Sequence, residues 1–162
     1  MIKVLFVCLG NICRSPTAHG VFEHLVAQAG LSDSIRVESA GTGAYHVGEP
    51  SDPRSVQEAS KRGYDLSAIR AQQVKANDFQ RFDYILAMDH SNLADLKALC
   101  PVEHQSKVAL FLDYGQVYSE QEVPDPYYGG GKGFLKVLDL VEDASQGLLA
   151  VLIKSGGETD QV

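Results

Sequence analysis

The sequence lacks a long hydrophobic run, a disulfide framework and an excess of basic residues. No stretch approaches the ~20 apolar residues of a membrane span, so we predict no membrane-spanning segment. Its three cysteines fit neither a disulfide scaffold nor a zinc-binding pattern, which is typical of a cytoplasmic protein. The formal net charge of −7 argues against binding to nucleic acid or to an anionic membrane surface. The five histidines form no evident ligand cluster, so we interpret them as solvated surface residues and predict no metal or other cofactor.

Apolar segments and helical patterns alternate along the 162 residues. This alternation predicts a single three-layer α/β domain with a parallel sheet. The domain is expected over 1–154, followed by a frayed polar tail over 155–162. The predicted strands are Ile2 to Val7, Ile35 to Ser39, Tyr84 to Met88 and Val108 to Leu112. The predicted helices are Pro16 to Ala29, Pro53 to Arg62, Asn77 to Gln80, Ser91 to Leu99 and Lys132 to Lys154.

A loop with the composition of an anion site follows the first predicted strand. Cys8 ends that strand, and Arg14 stands just before the first predicted helix, whose N-terminus would face back toward the sulfur. Gly10 can take a positive φ without a Cβ penalty, and Asn11 tolerates the same region, so the backbone N–H groups can converge on a phosphate. The same positive field would favour the thiolate form of Cys8. Ser15 is predicted to cap the helix and to donate to the sulfur, with Pro16 at the first helical position.

The segment from Cys8 to Pro16 resembles the low-molecular-weight protein tyrosine phosphatases. The similarity continues through the segments Ser39 to Thr42, Asp52 to Arg54, Phe82 to Asp89 and Asp125 to Gly129, and so covers nearly the whole chain. It implies a four-stranded parallel sheet with helices on both faces. It also implies a metal-independent phosphatase that hydrolyses phosphotyrosine monoesters through a phosphocysteine intermediate.

The resemblance assigns roles to individual residues. Cys8 is expected to be the nucleophile, Arg14 the phosphate clamp, and Asp125 the general acid and then the general base. Residues expected to bind phosphate or substrate are Leu9, Gly10, Asn11, Ile12, Cys13, Ser15, Tyr127 and Tyr128. Tyr45 and His46 are further candidates for the wall of the substrate cleft. A supporting network is expected to join Asn11, Ser15 and Ser39, and Cys13 is expected to form a reversible disulfide with Cys8.

The chain departs from the family pattern at three positions near this network. Ile69 stands where many relatives have a histidine, Gln72 replaces a frequent arginine, and His19 replaces an acidic residue. Asp89, the charged companion expected for that histidine, is retained. These departures leave open how the network around the loop is stabilised.

Three alternative functions share this sequence pattern. Arsenate reductase on the same fold would need a relay of further thiols, and Cys100 stands alone before Pro101. Phosphoarginine phosphatases resemble this loop but carry threonine at the position of Ile12. The third alternative is a non-catalytic phosphotyrosine-binding module or redox sensor. The expected partners are tyrosine-phosphorylated proteins, and the chain is expected to be a monomer or a weak homodimer.

Overall fold

The computed structural model describes residues 1–126 and 131–160. Four parallel strands form one sheet, namely β1 (Ile2–Cys8), β2 (Ile35–Gly41), β3 (Tyr84–Ala87) and β4 (Val108–Leu110). Five α-helices are α1 (Arg14–Gln28), α2 (Pro53–Lys61), α3 (Asp78–Arg81), α4 (His90–Leu99) and α5 (Gly131–Asp160). Short 3-10 segments cover Val102–Lys107 and Phe111–Tyr114. The predicted fold class is confirmed.

The strand order β2-β1-β3-β4 places β1 in the interior of the sheet. The chain moves from β1 to one side to form β2, and then crosses to the other side of β1 to form β3. The strand order therefore reverses next to β1. In open α/β sheets ligands bind beyond the carboxyl ends of the strands at such a reversal. Cys8, the last residue of β1, lies at that point.

Alternate side chains of β1 supply two hydrophobic cores. Val4 and Phe6 pack into a large core with residues of α1 and α5. Leu5 and Val7 pack into a smaller core on the other face of the sheet, together with residues of α3 and α4. Burial on both faces explains the continuous apolar run in this strand, because a parallel strand covered by helices has no solvent-facing side. The two cores hold the carboxyl end of β1 from above and below.

The helices differ from their predicted bounds by one or two residues at most ends, and the start of α1 and the end of α5 are the differences that matter here. Helix α1 begins at Arg14, so Pro16 is its third residue rather than its first, and Cys13 rather than Ser15 is the N-cap residue. Pro16 is tolerated there because the first N–H groups of a helix have no partner within the helix. Helix α5 continues to Asp160 through residues predicted as a frayed tail. Extending an existing helix gains about one hydrogen bond per residue.

Within the described ranges, no helix is both long enough and apolar enough to cross a membrane.

Candidate active site

The loop after β1 is held in place by backbone contacts with the end of β2. Thr42 N–H donates to the Cys8 carbonyl at 2.9 Å, and Gly43 N–H donates to the Leu9 carbonyl at 2.9 Å. The approach is so close that a Cβ on Gly41 would lie 2.6 Å from the Leu9 carbonyl oxygen. A side chain there would push the start of the loop off the sheet. The carboxyl end of β2 therefore fixes where the Cys8 loop leaves the sheet.

Asn11 carries the strained backbone of the loop. Its φ is 58°, and it is the one residue other than glycine with a positive φ in the described part of the chain. Of the two residues that can take this conformation, Gly10 does not have a positive φ. A Cβ on Gly10 would lie 3.0 Å from His46 Cδ2, so a side chain there would require His46 to shift. Asparagine adopts this region more readily than most residues because its short polar side chain can form local hydrogen bonds.

Two donors surround the Cys8 sulfur. The Asn11 N–H donates to Sγ at 3.2 Å, and the Ser15 hydroxyl lies 3.0 Å from Sγ. The Asn11 side-chain amide also donates to the Ser15 hydroxyl oxygen at 2.8 Å, which orients that hydroxyl. Cys8 is buried, with only 3% of its surface exposed. These contacts are those expected around a sulfur that carries negative charge.

Arg14 is held by two acceptors remote in sequence. Its Nη1 donates to Asp89 Oδ2 at 2.6 Å and to the Val123 carbonyl at 3.1 Å. Burial opposes the charge on Arg14, but the Cys8 sulfur and the Asp89 carboxylate outweigh burial and raise the pKa of the guanidinium. The side chain is therefore a fixed cation at the bottom of the site. The other nitrogen, Nη2, lies 3.9 Å from Asp125 Oδ2.

The segment that leads to Asp125 is held by hydrogen bonds of Val123 and, earlier in the chain, by hydrogen bonds to α5. Val123 N–H donates to the Met88 carbonyl at 2.8 Å, while the Val123 carbonyl accepts from Arg14. Further back, the Asp143 carboxylate of α5 accepts from three successive backbone N–H groups, those of residues 116–118, at 3.1 to 3.2 Å. These contacts place the Asp125 carboxylate over the loop.

The site is a cavity of about 370 Å³ at the carboxyl edge of the sheet. It brings Cys8 and Arg14 together with Asp125, which lies more than 100 positions further along the sequence. Its nine lining residues are Cys8, Leu9, Gly10, Ile12, Cys13, Arg14, Tyr45, His46 and Asp125. Asn11, Ser15 and Ser39 support this cavity from beneath and do not line it. Tyr127 and Tyr128 lie outside the described residues, so their part in the site stays a prediction.

Cys13 lines the cavity but is in a different electrostatic environment from Cys8. Burial and the neighbouring Asp52 carboxylate raise the pKa of the Cys13 thiol to about 12. Asp52 is the N-cap of α2, where it accepts from Arg54 N–H at 2.9 Å, and its own N–H donates to the Ile12 carbonyl at 2.8 Å. An aspartate directly before the predicted helix that begins at Pro53 is typical of an N-cap residue. Its contact with the loop could not be found from the sequence, because it depends on how α2 packs.

The supporting network differs from the one expected. The Ser39 hydroxyl contacts neither Asn11 nor Ser15. It lies 2.9 Å from His19 Nδ1, and the Ser39 carbonyl accepts from Gln72 Nε2 at 2.9 Å. The Gln72 N–H donates to Asn11 Oδ1 at 2.9 Å. Ser39 is therefore linked to the loop through Gln72, and the interpretation of His19 as a solvated surface residue was wrong. Side-chain contacts across helices could not be derived from residue spacing alone.

Comparisons with known proteins agree with this geometry. Residues 3–157 match the model of the family described as low molecular weight phosphotyrosine protein phosphatase. One relative is the low molecular weight protein-tyrosine-phosphatase of Streptomyces coelicolor. It is 44% identical over 153 residues, which cover 93% of this chain and 93% of that protein. The crystal structure of a protein tyrosine phosphatase from Entamoeba histolytica, with Hepes in its active site, is 41% identical. The aligned residues cover 96% of this chain and 99% of the Entamoeba histolytica chain, and the TM-score is 0.93. The chain belongs to the low molecular weight phosphotyrosine protein phosphatases.

A relative from Schizosaccharomyces pombe, named low molecular weight phosphotyrosine protein phosphatase, is 44% identical over 149 residues. That alignment covers 91% of this chain and 95% of the yeast protein. The family resemblance read from the Cys8 loop is therefore confirmed over the whole domain.

Proposed function

We propose that this chain hydrolyses phosphotyrosine monoesters in proteins, with Cys8 as nucleophile, Arg14 as phosphate clamp and Asp125 as general acid and base. One observation carries the proposal. The three side chains open onto a single cavity, with the guanidinium 3.9 Å from the Asp125 carboxylate and two donors on the Cys8 sulfur. A nucleophile, a cation and a proton donor are what cleavage of a phosphate monoester requires.

In the first step the Cys8 sulfur attacks phosphorus. A bond forms between sulfur and phosphorus while the bond between phosphorus and the phenolic oxygen breaks. The loop N–H groups and Arg14 bind the phosphate oxygens, whose charge is spread over three positions in the transition state. Protonated Asp125 gives its proton to the departing oxygen, so that a neutral phenol leaves rather than a phenoxide.

In the second step the phosphocysteine is hydrolysed. Asp125, now a carboxylate, removes a proton from a water molecule, whose oxygen attacks phosphorus. The bond between sulfur and phosphorus breaks, and the Cys8 thiolate is restored as inorganic phosphate departs. Asn11 N–H and the Ser15 hydroxyl stabilise that thiolate as leaving group, because both lie within hydrogen-bond distance of Sγ. No step requires a metal.

The fixed position of Arg14 supports its role as clamp. Asp89 and the Val123 carbonyl hold Nη1, which leaves the other edge of the guanidinium toward the cavity and Asp125. A planar guanidinium can contact two phosphate oxygens at once, whereas an ammonium is a point charge. The Arg14 side chain therefore loses its conformational entropy on folding, before substrate binds.

The walls of the cavity support an aromatic substrate. Leu9 and Tyr45 are exposed at its mouth, and Ile12 is half-buried within it. Apolar side chains and an aromatic ring can pack against the phenyl ring of phosphotyrosine. Tyr127 and Tyr128 are proposed to complete this wall. The substrates are accordingly proposed to be tyrosine-phosphorylated proteins.

Replacement of each of the three residues tests the assignment. Cys8→Ser is expected to abolish turnover of an aryl phosphate in the presence of a metal chelator while inorganic phosphate still binds, because a hydroxyl is a far weaker nucleophile at neutral pH. Arg14→Lys is expected to reduce turnover severely.

Asp125→Asn is expected to slow the hydrolysis of esters with basic leaving groups by about 10²–10⁴-fold and that of activated esters much less. Full turnover by Cys8→Ser would overturn the proposal, and equal losses across the leaving-group series would remove Asp125 from the acid role.

The alternative of arsenate reduction gains no support from the third cysteine. Cys100 follows α4 and is buried in the smaller core, on the α3 and α4 face of the sheet, where its thiol donates to the Pro101 carbonyl. Burial and Glu103 raise its pKa. Unlike Cys13, Cys100 does not line the cavity that contains Cys8, so its position does not suit a relay thiol. We propose a cytoplasmic monomer or weak homodimer that binds neither nucleic acid nor membranes, in keeping with three free thiols and a net charge of −7.

A further inference from the structure

A row of polar side chains runs along one face of α1, between that helix and β2. Ser15, His19 and Glu23 are spaced four residues apart, which places them on the same face of the helix. Ser15 contacts the Cys8 sulfur and, at 3.4 Å, the Ala40 carbonyl of β2. One turn further, His19 contacts the Ser39 hydroxyl of β2. The helix that presents Ser15 to the nucleophile is therefore joined to the neighbouring strand through His19.

The arrangement around His19 determines which ring nitrogen accepts. Nε2 lies 3.5 Å from the Glu23 carboxylate, and the hydrogen bond from the His19 ring lowers the pKa of Glu23. Nε2 therefore carries a proton that faces Glu23. In the neutral ring Nδ1 is left as an acceptor, and the Ser39 hydroxyl, 2.9 Å away, donates to it. Only 15% of the His19 side chain is exposed, so water cannot easily replace this bond.

The same cluster reaches the loop by a second path. Ser39 accepts from the Gln72 side chain through its carbonyl, and the Gln72 N–H donates to Asn11 Oδ1. Asn11 in turn holds the positive φ of the loop and places its own N–H on the Cys8 sulfur. Ser39 therefore stands between His19 and Asn11, and it precedes Ala40, whose carbonyl Ser15 contacts. Displacing Ser39 would disturb Ser15 and Asn11 together.

Among the described residues, His19 is the side chain that bonds to the Ser39 hydroxyl. His19 and Ser39 line a cavity of about 350 Å³ behind the loop, and Ile69 lines its other side. Ile69 has no polar atom to offer. The charged side chains that line this cavity are Glu23, Arg36, Glu38 and Arg70. Arg36 pairs with Glu38, and Arg70 donates to the Ser67 and Ile69 carbonyls.

We propose that His19 is a positioning residue for the phosphate loop. It acts through Ser39 and does not touch substrate. Its bond keeps α1 aligned with β2, so that the Ser15 hydroxyl and the Asn11 N–H stay on the Cys8 sulfur. The inference rests on the proposed function, since it concerns the reactivity of the proposed nucleophile. Losing one neutral hydrogen bond of this kind is expected to reduce that reactivity by roughly threefold to tenfold.

The first measurement is the reactivity of Cys8 toward iodoacetamide as a function of pH, with the modified cysteine located by tandem mass spectrometry. His19→Leu is expected to raise the pH at which alkylation of Cys8 is half-maximal by about half to one unit, which corresponds to a threefold to tenfold change. The non-titrating variant His19→Asn keeps a polar atom near the position of Nδ1 and is expected to stay closer to the wild type. His24→Leu is the matched control, because His24 lies on the same helix but packs edge-on against Tyr64.

A double-mutant cycle separates positioning from a general effect on folding. Ser39→Ala is expected to cause the same shift as His19→Leu, and the double variant is expected to shift no further, because both remove one bond. The kcat for an aryl phosphate should fall by a similar factor with KM changed less. A Cys8 profile within twofold of wild type in either single variant would overturn the proposal, as would fully additive losses. If His19→Leu does not fold, Ser39→Ala decides the matter alone.

Failure of this inference is distinguishable from failure of the proposed function. Alkylation of Cys8 is measured without any substrate, so it reports on positioning whichever ester the enzyme cleaves. A wild-type protein that leaves aryl phosphates intact would overturn the function instead. If the wild type is a normal phosphatase but neither His19→Leu nor Ser39→Ala changes the reactivity of Cys8, only the inference is overturned.

Discussion

Ile12 is the residue of the loop with the clearest bearing on substrate choice. Its side chain lines the cavity and is half-buried there, and its neighbours in the sequence are Asn11 and Cys13. An isoleucine can pack against the edge of an aromatic ring but offers no partner to a guanidinium. A buried polar group left without a partner costs about 1–3 kcal/mol. The site should therefore accept phosphotyrosine better than phosphoarginine.

We predict that the wild type has the higher kcat/KM on a phosphotyrosine peptide than on a matched phosphoarginine peptide, and that Ile12→Thr narrows the difference. A threonine hydroxyl would supply a polar partner at the same position. Ile12→Val is the control, since it removes one methyl group without adding a polar atom, and it should leave the preference in place. A wild-type preference for phosphoarginine would change the substrate class while Cys8, Arg14 and Asp125 kept their roles.

The two cysteines of the loop differ in a way that favours ordered oxidation. Burial and Asp52 raise the pKa of Cys13 to about 12, so Cys13 remains a thiol at neutral pH. Cys8, with two donors on its sulfur, is the one that peroxide should oxidise to a sulfenic acid. The Cys13 thiol can then condense with that sulfenic acid to form a disulfide and water. Asp52 lies beside the thiol and can accept its proton.

We predict that peroxide inactivates the wild type reversibly, with a link between Cys8 and Cys13 found by peptide mapping and activity restored by a thiol reductant. Cys13→Ala should instead be inactivated irreversibly, because the sulfenic acid proceeds to higher oxidation states. Cys100→Ser is the matched control, since Cys100 is buried in the other core, and it should behave as wild type. Irreversible loss of activity in the wild type would contradict this prediction.

At the scale of elements, helix α5 determines where the Asp125 segment begins. The 3-10 segment Phe111–Tyr114 packs directly against α5 at Gly147, where a Cβ would lie 1.8 Å from the Tyr114 carbonyl oxygen. Immediately after it, Asp143 accepts from the backbone of residues 116–118. The helix therefore holds the chain at two adjacent points before it reaches the site. Glycine is required at 147 by the close approach of backbone rather than by its conformational freedom.

We predict that Gly147→Ala lowers the free energy of unfolding by about 1–3 kcal/mol, the usual cost of overpacking. Alanine is the better helix former by about 1 kcal/mol, but a methyl group cannot fit beside a carbonyl oxygen at that distance. Gln146→Ala on the exposed side of the same turn is the control and should change stability by less than about 0.5 kcal/mol. Urea unfolding of the three proteins gives the comparison. A stabilised Gly147→Ala would show that the segment moves away without cost.

At the scale of the whole molecule, the sequence predicted what depends on local pattern. The apolar run from Ile2 placed Cys8 at the end of a buried strand, and the residues from Cys8 to Pro16 indicated the anion-binding loop. The pattern could not indicate that Arg14 is oriented by Asp89, 75 positions away, or that His19 contacts Ser39. Those contacts depend on how α1 packs against the sheet. The pattern also did not indicate which of Gly10 and Asn11 has the positive φ, which is Asn11.

The charge of the whole molecule opposes the charge of its substrate. The chain carries a net charge of −7, while the cation of the site, Arg14, is buried beneath the cavity. Beside the mouth a second groove shares Leu9 and Tyr45 with the cavity and contains the Asp95 carboxylate. Peptide residues that flank the phosphotyrosine would therefore meet a negative surface. Basic flanking residues should be attracted to it and acidic ones repelled.

We predict a higher kcat/KM for phosphotyrosine peptides flanked by lysine than for those flanked by glutamate, with the ratio shrinking as salt is added. Screening shortens the reach of exposed charges to about 10 Å at 0.1 M salt, so the ratio at 0.01 M should exceed that at 0.5 M. A peptide with neutral flanks is the reference, and Asp95→Asn should reduce the preference because it removes the carboxylate of the neighbouring groove. Glu58→Gln is the matched control, because Glu58 lines neither the cavity nor the groove and its replacement changes the net charge equally. A ratio that ignores salt would show that flanking residues are recognised by packing rather than by charge.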